Sequence, residues 1–297
     1  MGDVMKTFKR KLGTIAGAIG MLFSMSAHAD LALDLTSTGA SGSLGTAFYK
    51  QVPAQPTGSG VIKSFVRVRD ASATVVQGYN TTVSGIYNND GTDTYNHEIT
   101  VGQVGLIDTT PGVPGGEVMR FLLDINQTGA NPKLSLDELQ IYISTNPNQS
   151  LTPTMNQGTL LNPLNSFLVY QMDSGGQNNR VDLDFSLNSG SGSGDMTVDI
   201  PVELLNAAFT AGGMLFDTLA ERNGAYIYLY SRFGQVWPNN DGYEEWTYLK
   251  GGPLDNPCVP SPGNPCGTPP LETPEPGTLA LLGAGLFGLA YRRRHLS

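Results

Sequence analysis

Alternation with a period of two is the feature that most constrains this chain. Over residues 180–187, Val181, Leu183, Phe185 and Leu187 alternate with Asp182, Asp184 and Ser186. Beyond residues 189–194, Met196, Val198 and Ile200 repeat the pattern. A period of two sends one set of side chains to a buried face and the other to water, which is the signature of a half-buried strand. The same reading predicts strands over 61–69, 73–77, 81–87, 95–101, 117–125, 136–144, 166–171, 225–233 and 243–249. Clusters of Gly, Asn, Asp and Pro separate these runs, as in a sandwich or barrel. Only residues 201–211 carry helix signals, with Pro201 at the start and Gly212-Gly213 past the end. The expectation is an all-β chain whose residues 30–250 form a single jelly-roll-like β-sandwich ectodomain. Such a body is large enough to bury its own core.

Composition excludes the main alternatives. Charged residues are only 14% of the 297, while Gly numbers 37 and Pro 19. A helical bundle would need far more Ala, Glu, Lys and Leu. Charge-driven disorder is excluded by the supply of β-branched and aromatic residues. The formal net charge of −9 argues against nucleic-acid binding, which needs a basic face. Basic residues also gather at the ends. Residues 30–276 hold ten basic against 25 acidic residues, a net −15, so this part repels polyanions and suits cations.

The two ends read as addresses. Residues 1–29 have a basic stretch (Lys6, Lys9, Arg10, Lys11), an apolar run over 12–23, and small residues at Ala27 and Ala29. That order predicts a signal peptide, removed by signal peptidase after Ala29. At the other end Pro274-Glu275-Pro276 precedes an apolar run over 277–291 and the cluster Arg292-Arg293-Arg294. As a helix that run would be about 22 Å long. It would be a short single transmembrane helix, with snorkelling arginines held on the cytoplasmic side. Gly283, Gly285 and Gly288 thin it enough for another membrane helix to approach.

These tail residues resemble the PEP-CTERM sorting signal of Gram-negative bacteria, over residues 274–297. The resemblance implies recognition of Pro274, Glu275 and Pro276 by the membrane peptidase exosortase, with Arg292, Arg293 and Arg294 as the stop signal. It also implies an inner-membrane intermediate, followed by a place at the cell surface or in an extracellular matrix rich in exopolysaccharide. It covers only the tail and assigns no role to the body. Between them, residues 251–273 form a Pro-rich stalk, extended and stiff. The stalk holds both cysteines, Cys258 and Cys266, which an oxidising compartment would join as a local disulfide.

Within the body, residues 124–129 begin like a calcium loop, with oxygen ligands at Asp124, Asn126 and Thr128 and Gly at the sixth place. Ser135 stands where the loop's last carboxylate belongs, and Asp137 and Glu138 are close enough in sequence to replace it. Calcium is the one cofactor the chain suggests. The motif Asn239-Asn240-Asp241-Gly242 is expected to turn a hairpin between two aromatic strands. Tyr226, Tyr228 and Tyr230 would then share one face. Two roles are open to these aromatics. One is cross-strand packing. The other is a carbohydrate platform with Trp237 and Trp246 stacking on sugars and Asp241 and Glu244 bonding hydroxyls.

Catalysis is not expected. Without its end segments the chain keeps one histidine, His97, and no cysteine outside the stalk. That excludes a zinc site built on several histidines. No Gly-x-Ser-x-Gly elbow is present. The run Gly190-Ser191-Gly192-Ser193-Gly194 lacks the helix and lysine of a phosphate loop. Carboxylates for glycoside hydrolysis exist at Glu203, Glu221, Asp241, Glu244 and Glu245, but spacing selects no pair. The sequence therefore points first to a non-enzymatic structural or adhesive protein, next to a carbohydrate-binding module, and only distantly to a glycosidase.

Overall fold

The computed structural model describes residues 30–53, 63–90, 94–109, 116–156, 158–174, 176–190, 192–252 and 254. Fourteen strands are present among them. The first seven are β1 (Ala32–Asp34), β2 (Ser41–Leu44), β3 (Ala47–Gln51), β4 (Val66–Val68), β5 (Val76–Tyr79), β6 (Ile99–Thr100) and β7 (Ile107–Asp108). The longer strands follow: β8 (Glu117–Asp124), β9 (Lys133–Ser144), β10 (Ser166–Gln171), β11 (Arg180–Asp184), β12 (Met196–Pro201), β13 (Tyr226–Phe233) and β14 (Glu244–Leu249). Helices α1 (Val101–Val104), α2 (Val202–Gly212) and α3 (Leu219–Gly224) are short, and no helix among the described residues is long and apolar enough to cross a membrane.

Two sheets form. One runs β1-β11-β9-β13-β5, with β10 beside β9 and β6 beside β13. The other runs β2-β3-β12-β8-β14-β4, with β7 beside β8. Every pairing is antiparallel except β1 with β11. The pairs are nested along the chain: β9 with β11, β8 with β12, β5 with β13, and β4 with β14.

The alternation predicted from sequence builds the shared core. Val181 and Leu183 point in from one sheet, and Met196, Val198 and Ile200 from the other. Phe121, Leu123, Ile141, Ile143, Ile227 and Leu229 join them. Two polar contacts tie the sheets through this apolar layer. The Trp246 indole N–H donates to Ser231 Oγ at 3.0 Å, and the hydroxyls of Tyr49 and Tyr170 meet at 2.8 Å. Buried polar atoms need such partners, because nothing else replaces their lost water.

The outer face of the first sheet is covered as well. Tyr79, Tyr142, Tyr228 and Tyr230 form a second cluster with Ile86, Met155 and Leu161. The segment over 145–156 lies on it, and its carbonyls accept from tyrosine hydroxyls. Tyr228 donates to Asn146, Tyr79 to Leu151 and Tyr87 to Pro153, at 2.8, 3.1 and 2.7 Å. Packing is thus the role of the tyrosine row of β13.

Three expectations are corrected. The motif at Asn239–Gly242 does not turn a hairpin: β13 and β14 belong to different sheets. Ten residues separate the two strands, far more than a tight turn uses. The Asn239 amide instead anchors this crossover by donating to the carbonyls of Asp70 and Ala73. Residues 81–87 form turns, not a strand, and Tyr87 sits at φ 46°. Residues 185–187 leave the strand as a 3-10 turn, in which Asp184 accepts from the Ser186 N–H. The helix at 201–211 is found as α2, with the chain turning away at Gly213.

Candidate functional site

Three buried carboxylates are strung along the end of β8. Asp124 accepts from the Gly192 N–H at 2.8 Å through Oδ2. One residue on, the Ile125 N–H donates to Asp195 Oδ2 at 2.8 Å. One further, the Asn126 N–H donates to Glu244 Oε2 at 3.2 Å, while Gln127 Nε2 reaches Glu244 Oε1 at 2.9 Å. Asp124 is 1% exposed, Asp195 4% and Glu244 0%. Burial pushes Asp124 up to about 6, against the pull of the Gly192 amide. It pushes Asp195 up to about 8, with Asp124 adding repulsion, and lifts Glu244 well above the carboxylate range.

The Gly-rich run explains part of this arrangement. Gly190, Gly192 and Gly194 all have positive φ, which turns backbone amides toward one point. That point is the Asp124 carboxylate, drawn by the amides of Gly192, Gly194 and Ser193. Gly194 also lies against Leu122, where a Cβ would come within 2.8 Å of that side chain. The run is a cradle for a carboxylate of its own chain.

A second acidic group sits on the other sheet. The β9–β13 ladder shifts register at Arg232/Phe233, leaving Asp137 as the extra residue on β9. Its Oδ2 accepts from the Gln235 N–H at 2.6 Å. Glu138 faces Arg232 at 3.3 Å. Burial raises Glu138 to about 7, and the Arg232 guanidinium opposes that rise. Asp173 is raised to about 6, again with Arg232 opposing.

The predicted calcium ligands are therefore divided. Asp124 and Asn126 belong to the first group. The Thr128 N–H donates to Asn240 Oδ1 at 2.8 Å. Asp137 and Glu138 are engaged on the opposite sheet, because β8 and β9 do not share one. Sequence reading missed Asp195 and Glu244 as neighbours of Asp124. Only the fold brings their segments together, and neither residue stands in a motif. Among the described residues, no group of three or more His, Cys, Asp or Glu side chains is placed to hold a metal ion.

The predicted sugar platform is divided too. Trp246 is 0% exposed and bonded to Ser231, and Glu244 is buried beneath Asn126 and Gln127, so neither offers a face to a ligand. Trp237 is 38% exposed, and Asp241 is exposed in the crossover. Trp237 lines a cleft of about 490 Å³ with Ala130, Asn131, Pro132, Lys133, Pro238 and Asn240. Lys133 Nζ lies 4.9 Å from the centre of the indole ring. Ser135 Oγ accepts from the Trp237 N–H at 3.1 Å and fixes the backbone beneath it.

Ala27, Ala29, Cys258, Cys266, the tripeptide at 274–276 and the arginines at 292–294 lie outside the described residues. Comparison with curated proteins gives no match. Residues 272–294 match the family model of the PEP-CTERM protein-sorting motif, and the protein is by that match a carrier of this sorting signal, with its β-rich body unassigned.

Proposed function

We propose that the protein is exported, sorted through its C-terminal motif and processed there by exosortase, and that its two-sheet body then works outside the cell as a non-catalytic structural or adhesive unit. The observation that carries this reading is the sorting motif at 272–294, which implies delivery to the cell surface or extracellular space. The fold supports a structural role. Its four nested pairs, from β4 with β14 outermost to β9 with β11 innermost, fit the two Greek keys of a jelly roll. The test is the intact mass and both termini of the protein recovered from its host, by fraction. A chain starting at Asp30 and ending near residues 274–276, in the surface or matrix fraction, is the expected result. A chain still ending at Ser297 in the inner membrane would reject processing.

A second reading is binding of the producer's exopolysaccharide at the Trp237 cleft. A half-exposed indole beside a lysine and two amides offers a stacking face with polar flanks. Retention of the protein on that polysaccharide should be lost in Trp237→Ala. Equal retention of the variant would reject this site.

A further inference from the structure

We infer that the Trp237 cleft takes an acidic sugar, a pyranose ring carrying a carboxylate, and that Lys133 is the group that recognises the charge. The inference rests on carbohydrate binding at that cleft and names the class of sugar. Three observations carry it.

The first is an uncommitted cation. Residues 30–276 hold ten basic against 25 acidic residues, so carboxylates are in excess. Among the described residues Lys133 nevertheless makes no ion pair. Its acidic neighbours are engaged in local turns. Asp184, its partner in the β9–β11 ladder, accepts the N–H and the hydroxyl of Ser186 on one oxygen, at 2.9 and 2.5 Å. Asp34 of β1 does the same with Thr36, at 2.9 and 2.6 Å. The Thr36 bonds come first in holding the Asp34 carboxyl below its ordinary value, and the Lys133 charge comes last. The lysine ammonium lies instead over the Trp237 indole.

The second is the chemistry of the lining. Of the residues lining the cleft, Lys133 alone is charged. Asp241, one place beyond Asn240, turns Oδ1 to the Gly242 N–H at 2.8 Å. A cleft with one cation and no carboxylate, in a body of net −15, is complementary to an anion. Trp237, Pro132, Pro238 and Ala130 make the rest of its wall largely apolar, so the anion must be joined to an apolar face. A sugar acid has both parts. Its ring C–H face can lie on the indole, and its carboxylate can draw the ammonium off the ring into a charge-assisted hydrogen bond.

The third is rigidity. Asn240 ties the two walls: its Oδ1 accepts from the Thr128 N–H and its Nδ2 donates to the Asn131 carbonyl, both at 2.8 Å. Ser135 Oγ accepts from the N–H groups of Val236 and Trp237, both at 3.1 Å. A cleft held in place before its ligand arrives loses little in ordering.

The field of the whole body adds selectivity. Its net −15 repels polyanions at a distance, so an acidic polysaccharide has no unspecific attraction to it. At physiological salt that repulsion is screened beyond about 8 Å, whereas a carboxylate touching Lys133 is inside that range.

The experiment uses the full chain purified from its host. The producer's exopolysaccharide is coupled to beads in two forms, native and carboxyl-reduced, in about 0.15 M salt at neutral pH. The expected result is retention on the native form and about fivefold weaker retention on the reduced form. Free glucuronate should elute the protein, and glucose at the same concentration should not. Lys133→Gln should hold both forms alike and weakly, and Trp237→Ala should hold neither. Both positions are exposed, so both variants should melt like the parent. Equal retention on the two forms, unaltered in Lys133→Gln, would overturn the acidic class and leave carbohydrate binding at the cleft standing. Full retention of Trp237→Ala, or no retention of the parent on either form, would reject the cleft and the acidic class together. Should a variant not fold, the two forms and the two competing sugars decide on the parent alone.

Discussion

Trp246 and Ser231 join the two sheets: the indole N–H of β14 donates to the serine hydroxyl of β13 at 3.0 Å, with both residues fully buried. The relationship predicts two separable losses. Trp246→Phe keeps most of the apolar volume and leaves the Ser231 hydroxyl without its donor, which should cost about 1–3 kcal/mol. Trp246→Ala also opens a cavity and should cost about 3–5 kcal/mol. Urea unfolding of both variants measures the difference, and equal losses would show that the hydrogen bond contributes nothing.

The stability of the body should fall as pH rises. Asp124 and Asp195 are raised to about 6 and about 8 by burial, so the native state keeps protons that the unfolded chain has released. Their contribution is complete below the unfolded carboxylate range near 4 and is lost as pH climbs through 6 and then 8. Melting curves from pH 4.5 to 8.5 should show this decline. It should be shallower in Asp195→Asn, and a profile unchanged by that substitution would count against the assignment.

Gly194→Ala should destabilise the body by about 1–3 kcal/mol. The residue sits at φ +58°, and an added Cβ would meet Leu122. Gly39 has positive φ with open space around it, so Gly39→Ala isolates the conformational part. The two melting temperatures together separate strain from crowding.

Replacing residues 274–276 with alanines should leave the tail attached. Intact mass of the variant from its host reads this directly. Removal of the tail at the same place would mean that the tripeptide is not what the peptidase recognises.

How much of this was legible in the sequence depends on which interaction decided each element. Val181 and Leu183, then Met196, Val198 and Ile200, were readable because burial of one face imposes a period of two. Pro201 and Gly213 bound α2 for equally local reasons. The hairpin of β2 and β3 left no such trace, since Ser41, Gly42 and Ser43 carry no apolar alternation and its order comes from partners on β12. Residues 81–87 show the converse. Val83 and Ile86 look strand-like but pack in the tyrosine cluster with Leu151, Met155 and Leu161. The acidic site was half readable. Asp124 stood in a ligand-like loop, whereas Asp195 and Glu244 reach it only through the β8–β12 and β8–β14 ladders. Their burial is a product of tertiary structure, and residue type alone would have put them in water.

The position of β14 between β8 and β4 has a mechanical consequence. Beyond this strand Gly252 still bridges to Leu106 and Leu254 packs in the core, so a pull from the C-terminal side arrives there first and then along β14. Its ladder bonds on both edges run across that direction and are loaded together, in shear, instead of being unzipped one by one. The isolated bridge between Leu106 and Gly252 lies outside this ladder and is the first contact to feel the load. A body pulled from this side yields by sliding a whole strand past its two neighbours, β8 and β4.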